Sequence, residues 1–226
     1  MPIPRRWRER SPIRRRLQNC GRGCGVAWPR RRCVTGSTEP AKLSGFTGGS
    51  ISFDHEGEVD QILDYLTGLG HKRICFLANE PEASENVRLR IKFYEEECKA
   101  RGLEALVVRC GTQFWDSSNS KAYSAMPQVM ELKPTAIFAF DDSGAWAALK
   151  WCLNHGIRVP HDVSILGFAN DRPSAFTHPA LSTIAHPIHE LATSAVDLVT
   201  NAPVKPQVKM FEPKLMVRES TGPAPK

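Results

Sequence analysis

The sequence predicts an α/β fold built on a parallel β-sheet. Four short runs of strand type are apolar along their whole length: RICFLA, LEALVV, TAIFAF and VSILGF. Segments with helical character lie between these runs, and glycines close several of them. Strands without polar alternation are typical of a parallel sheet that helices cover on both faces.

The first half of this pattern contains two helices and two strands. Residues 56–69 predict a helix that Gly70 ends, with one apolar face made of Val59, Ile62, Leu63, Leu66 and Leu69. The strand at 73–78 follows. Residues 84–101 predict a charged helix, and residues 103–108 predict the next strand.

The second half repeats the alternation. Residues 121–132 predict a helix and residues 135–140 a strand, and a helix over 145–155 leads to the strand at 163–168. We expect 163–168 to be the last strand of the parallel sheet. An amphipathic helix over 187–200 and a short final strand within EPKLMVRESTGP complete the chain.

The positive charge is confined to the first 50 residues. The chain has 226 residues and a formal net charge of +6, but residues 1–50 hold eleven arginines and one lysine against two glutamates, so residues 51–226 sum to −4. Residues 1–50 show neither helical nor strand periodicity and are predicted to be a disordered arm. Such an arm could bind nucleic acid without sequence preference, or could result from an altered reading frame or a misplaced start.

Composition otherwise indicates a globular cytoplasmic protein. With 41% hydrophobic residues a packed core is expected, and the sequence contains neither an apolar run of membrane-spanning length nor an export signal. Four cysteines lie in apolar segments and predict reduced core thiols: Cys75, Cys98, Cys110 and Cys152. Three in the basic arm have incomplete metal-like spacing, so no metal and no cofactor are expected.

Polar residues gather where the predicted strands end. Parallel strands direct their carboxyl ends to one edge of the sheet, where open α/β sheets bind ligands. Loops 78–86, 109–118, 141–143 and 169–176 therefore meet there. They carry carboxylates, amides, an arginine and a tryptophan, which together suit a polyhydroxylated ligand: Asn79, Glu80, Ser84, Asn86, Arg90, Trp115, Asp116, Asp141, Asp142, Asn170, Asp171 and Arg172.

Other roles for these residues stay open. Asp141 or Asp142 could cap the following helix, Trp115 could be core packing, and paired carboxylates could hydrolyse glycosides or hold a metal. His71 is interpreted as a structural turn residue. The sequence has no P-loop, dinucleotide fingerprint, nucleophile elbow or zincin helix, so catalysis is disfavoured.

The chain resembles the sensor domain of the lac repressor family of bacterial transcription regulators. The resemblance runs from residue 51 to 221 and includes SISFDHEGEVDQILDYLTGLGHKRICFLA, KPTAIFAFDDSGAWAALKWCLNHGIRVPHDVSILGF and PKLMVREST. It implies a periplasmic-binding-protein-like fold of two α/β subdomains that enclose a small effector, in this family a sugar in many cases. It also implies a helix-turn-helix that binds DNA and a homodimer, with no membrane contact.

The resemblance assigns effector-binding roles to particular residues. The family's effector arginine corresponds to Arg90, and further ligand contacts correspond to Ser84, Asn86, Trp115, Asp141, His186 and Phe53. The family's aspartate after the glycine-aromatic pair is replaced by Ala169. Either Asn170 or Asp171 provides that contact from a neighbouring position or the contact is not made; Asn170 is taken as the candidate ligand residue.

Two departures from the family limit this expectation. Residues 1–50 resemble neither the helix-turn-helix nor the first half of the sensor. One subdomain is thus expected to be nearly complete and the other mostly missing, with an apolar face of helix 187–200 partly exposed. Because a ligand is selected by burial between two walls, we expect weak sugar binding or none.

Three functions remain after this comparison. The preferred one is the sensor part of a transcription regulator whose DNA-binding domain is missing, with DNA contact otherwise limited to the basic arm. The alternative is a stand-alone or transport-type carbohydrate-binding protein. An enzyme on the same scaffold is the third and is disfavoured.

Overall fold

A computed structural model of the chain describes residues 34–35, 49–201 and 207–225. The described strands are β1 (Val34–Thr35), β2 (Gly49–Phe53), β3 (Ile74–Ala78), β4 (Leu106–Arg109), β5 (Ala136–Ala139), β6 (Ser164–Ala169), β7 (Ser182–Ala185), β8 (Gln207–Phe211) and β9 (Lys214–Met216). Within the described ranges they form two sheets. The larger has the strand order β4-β3-β5-β6-β7-β9, and the smaller has the order β1-β2-β8.

Helices cover both faces of the larger sheet, as the apolar strands predict. The described helices are α1 (His55–Gly68), α2 (Glu85–Ala100), α3 (Ser118–Glu131), α4 (Asp142–Asn154) and α5 (Ile188–Thr200). Strand β3 is buried throughout, and its residues alternate between the two cores. Cys75 and Leu77 pack with α3 and α4, whereas Phe76 belongs to the core that α1 and α2 complete.

The first four strands of the larger sheet are parallel, which confirms the predicted fold class. The prediction that 163–168 ends the parallel sheet is wrong, because β7 pairs with β6 in parallel and β9 pairs with β7 antiparallel. Strand β7 was not predicted because two of its four residues, Ser182 and Thr183, are polar. Ser182 and Thr183 are buried there, and the Ser182 and Thr221 hydroxyls lie 2.8 Å apart.

The smaller sheet lies next to α5. Strand β2 pairs in parallel with β1 on one side and with β8 on the other, and α5 packs against β2. Strand β1 and the first two residues of β2 fall inside residues 1–50, the segment predicted to be a disordered arm. The rest of residues 1–50 lies outside the part of the chain that the structure describes. The predicted exposure of the apolar face of α5 holds for Ile188 but not for Leu198, which is buried.

The core thiols are as predicted. Cys75, Cys98, Cys110 and Cys152 are free cysteines, and burial raises the pKa of Cys75, Cys110 and Cys152 to about 12. Such thiols stay protonated at neutral pH. None of the helices in the described ranges combines the length and hydropathy that crossing a bilayer requires.

Candidate functional site

The candidate site lies at the carboxyl edge of the larger sheet. The chain leaves β3 toward β4 on one side and returns to β5 on the other, so the strand order switches between β3 and β5. Open α/β sheets bind ligands outside such a switch point. Asn79 follows β3 and Asp141 lies just after β5, so these two residues mark the centre of the edge.

Asp141 joins the loops on the two sides of the switch point. Its carboxylate caps α4 by accepting a hydrogen bond from the Gly144 amide at 2.8 Å, as one of the alternatives predicted. It also accepts from Asn79 Nδ2 at 2.6 Å and from the Ser143 hydroxyl at 2.9 Å. Asn79 Nδ2 donates to Ser118 Oγ at 2.8 Å as well, so the start of α3 belongs to the same network.

Arg90 is buried rather than open to the edge. Only 3% of the residue is exposed, and Nη1 donates to the Phe140 carbonyl oxygen at 2.8 Å. The guanidinium lies 3.6 Å from the ring centroid of Phe168 and 4.3 Å from that of Phe140. Burial lowers its pKa to about 10, so it remains a cation at neutral pH.

Glu58 on α1 is the centre of a buried charged cluster. One oxygen accepts from His55 Nδ1 at 2.8 Å and pairs with Arg90 Nη2 at 3.4 Å, and the other contacts His186 Nε2 at 2.9 Å. Burial opposes ionisation of this carboxyl, but His186, His55 and the charge of Arg90 together hold its pKa at about 2. Two residues predicted from the family, Arg90 and His186, are thus brought together by a third that was not predicted.

A sequence signal for Glu58 existed. It occupies the core-facing stripe of α1 together with His55, Val59 and Ile62, all of which are buried. An acid at such a position needs partners in the folded protein, because an isolated buried charge is very costly. A charged residue inside an apolar helical stripe therefore indicates a buried ion pair or a site.

Asp142 and Asp141 do not form an outward-facing pair of carboxylates. Asp142 is fully buried and accepts from the Thr183 hydroxyl at 2.6 Å, the Ser174 hydroxyl at 2.6 Å and the Asp171 amide at 2.7 Å. It holds the loop after β6 in place. The described residues likewise include no group of three or more His, Cys, Asp or Glu side chains arranged to bind a metal.

Asn170 is held in place by hydrogen bonds to two neighbouring segments. Its Oδ1 accepts from Arg218 Nη2 at 2.6 Å, and its backbone N–H donates to the Thr183 hydroxyl at 3.2 Å. The amide oxygen that was expected to replace the family's carboxylate is thus already engaged by Arg218, although a carbonyl oxygen can accept a second hydrogen bond. A ligand contact by Asn170 stays a prediction.

The other predicted residues lie around the edge. Trp115, in the loop between β4 and α3, is 81% exposed, which argues against the core-packing alternative. Ser84 precedes α2, and Asn86 lies one turn before Arg90 on the same face of that helix. Phe53 ends β2, with its backbone paired to Phe211; its side chain is outside the described part.

The edge has an acidic character. Burial and the neighbouring Asp142 and Asp141 raise the pKa of Asp171. The pKa of Glu80 is also raised, mainly by burial and in part by Asp141. Carboxyls that share one region in this way accept hydrogen bonds from ligand hydroxyls and repel anions.

Comparison with known proteins agrees with this geometry. The family model of a periplasmic binding protein-like domain matches residues 63–221. The repressor CytR of Escherichia coli K12, an HTH-type transcriptional repressor, is 32% identical over 184 residues, which are 78% of this chain and 52% of CytR. The chain spans about half the length of the curated relatives it matches.

Solved structures show the same fold. A LacI family regulator from Enterococcus faecium with bound ribose superposes with a TM-score of 0.71 at 24% identity, over 93% of this chain and 75% of that one. The complex of the transcriptional regulator CelR with cellobiose gives a TM-score of 0.68 at 26% identity, over 83% and 58% of the two chains. The chain belongs to the periplasmic binding protein-like family, as a sensor domain of the lac repressor type.

Proposed function

We propose that the chain is the effector-binding part of a cytoplasmic transcription regulator, and that it binds a carbohydrate at the carboxyl edge of its larger sheet without catalysis. The observation that carries this proposal is the combination of the exposed Trp115 with the Asp141 network. An indole can stack on the C–H face of a sugar, and carboxylate and amide groups hydrogen-bond to its hydroxyls. The relatives in complex with ribose and cellobiose support the ligand class.

The DNA-binding helix-turn-helix is proposed to lie outside the sensor segment. The HTH-type relatives support this division, because the chain matches about half of their length. The basic residues 1–50 supply at most nonspecific contact with nucleic acid, which salt would weaken. A homodimer is proposed from the family resemblance.

Saturation-transfer NMR tests the ligand class even when binding is weak. We expect transfer from the full chain to the C–H protons of pentoses, hexoses or disaccharides at millimolar concentration. Trp115→Ala should abolish it, because the stacking surface is lost. Phe114→Ala is the matched control, since Phe114 is a neighbouring aromatic that is also exposed, and it should retain the signal. Absence of transfer from every sugar tested would contradict the proposal.

A further inference from the structure

Arg90, a cation next to the switch point, is already neutralised by the protein. Arg90 Nη1 donates to the Phe140 carbonyl and Nη2 pairs with Glu58, while the rings of Phe140 and Phe168 lie over the guanidinium. Arg90 Nε is buried and has no hydrogen-bond partner among the described residues. The guanidinium therefore has one buried N–H without an acceptor, but no uncompensated charge for an anion.

Glu58 is held too firmly to be displaced easily. Its two oxygens contact His55, Arg90 and His186, and the residue is completely buried. A phosphate or carboxylate that approached Arg90 would have to lie beside this carboxylate or expel it. Both alternatives are costly in a region of low dielectric.

The surrounding edge adds further negative charge. Asp141 lies close enough to Glu80 on one side and to Asp171 on the other for its charge to act on both. The basic side chains at the rim are mostly paired, with Lys121 on Asp116 at 3.2 Å and Arg109 on both Glu82 and Glu95 at 3.7 Å. Arg172, in the loop after β6, is an exposed cation.

We propose that Glu58 determines ligand specificity: by pairing with Arg90 it makes this wall of the site accept an uncharged polyhydroxylated ligand and reject the phosphorylated form of the same compound. This inference rests on the proposed carbohydrate-binding function. It narrows the ligand class from carbohydrates in general to neutral ones, and it assigns the discrimination to a buried residue on α1 that acts through its ion pair with Arg90.

The test compares neutral sugars with their phosphate esters on the full chain. Ribose is paired with ribose 5-phosphate and glucose with glucose 6-phosphate, at constant ionic strength, by saturation-transfer NMR titration. We expect the wild type to bind the neutral member at least about tenfold more tightly, and Glu58→Gln to reduce this ratio by about tenfold or invert it. Glu56→Gln removes an exposed charge from the same helix and should keep the wild-type ratio.

Inorganic phosphate provides a second arm that does not require sugar binding. Thermal denaturation of the wild type should show no saturable stabilisation by phosphate relative to chloride at equal ionic strength. Folded Glu58→Gln, in which Arg90 is unpaired, should gain such stabilisation and Glu56→Gln should not.

The outcomes separate the two proposals. Equal or tighter binding of the phosphate ester by the wild type overturns the inference, and so does saturable stabilisation of the wild type by phosphate. A folded Glu58→Gln variant with the wild-type ratio and no response to phosphate overturns it as well. If Glu58→Gln does not fold, the wild-type titrations decide alone. Failure of every neutral sugar and every ester to bind contradicts the carbohydrate proposal, while the phosphate arm still decides whether Arg90 is closed to anions.

Discussion

Ala169 has a backbone conformation that L residues rarely adopt. Its φ is +117°, and that of the next residue, Asn170, is +56°. The surroundings enforce this geometry, because Ala169 pairs with Ala185 in the sheet and Asn170 is held by Thr183 and Arg218. The strain therefore lies at the position where the resembling family carries its ligand-binding aspartate.

Replacing Ala169 by glycine should relieve this strain. We expect Ala169→Gly to raise the free energy of unfolding by about 1 kcal/mol, measured by urea denaturation, because glycine adopts positive φ without steric cost. Ala185→Gly is the matched control: it lies opposite in β7 at ordinary φ and should be destabilising. A loss of stability in Ala169→Gly as large as that in the control would contradict the interpretation.

At this scale the sequence indicates which loops carry the polar residues, but not which of those residues are buried or what their partners are. Asp141 and Asp142 are adjacent in the chain, yet one caps α4 at the edge and the other is buried beneath the loop after β6. Glu58 is remote from the predicted loops and reaches Arg90 only because α1 packs beside α2. Contacts between residues so far apart in sequence depend on helix packing, which local patterns do not specify.

At the scale of elements, hydrogen bonds to the buried Asp142 hold the loop after β6 in place. The carboxylate accepts from Ser174, Asp171 and Thr183, which joins this loop to α4 and β7. Gly167 lets the Asp142 carboxylate lie against β6, since a Cβ at this position would be 2.3 Å from Asp142 Oδ1 and 2.8 Å from Leu181 Cδ2. The glycine in VSILGF is therefore required by close packing.

Asp142→Asn should loosen the loop. The new NH2 group would point at one of the donors that the carboxylate now accepts from. We therefore expect the free energy of unfolding to fall by about 2 kcal/mol and the Asp171 amide to exchange faster. Asp162→Asn is the control, because Asp162 forms an exposed pair with Arg158 at 2.6 Å, whose loss should lower the free energy of unfolding much less than the change at Asp142. Equal losses in the two variants would show that the loop does not depend on Asp142.

Helices and apolar strands were predictable because each follows from one local pattern: an apolar face at helical spacing for the helices and a continuous apolar run for the strands. The helix predicted at 56–69 is observed at His55–Gly68, and the strand predicted at 73–78 is observed at Ile74–Ala78. Strand β7 was not predictable in the same way. The Thr183 hydroxyl donates to Asp142, and the Ser182 hydroxyl pairs with that of Thr221, which lies 39 residues further along the chain.

At the scale of the whole molecule, the described side chains around the two sheets differ in burial. The larger sheet has a hydrophobic core on each face. Among the described side chains next to the smaller sheet, Leu198 of α5 is buried, while Val196 and Val199 are exposed, and so is Met210 of β8. Because burial of apolar surface is the main source of stability, we expect this region to contribute less to it.

Amide hydrogen exchange should therefore separate the two sheets. We expect the central strands β3, β5 and β6 to exchange at least about a hundredfold more slowly than β2 and β8, after correction for intrinsic rates, because local opening is less costly where few apolar contacts are broken. Ile51 lies in β2 but is buried, and it should be the most protected residue of the smaller sheet. Uniform protection of both sheets would show that they unfold as one cooperative unit.

A neutral sugar that binds at the carboxyl edge should increase amide protection more in the loop after β6 than in β2. Asp142 already limits the motion of that loop, and the bound sugar should limit it further.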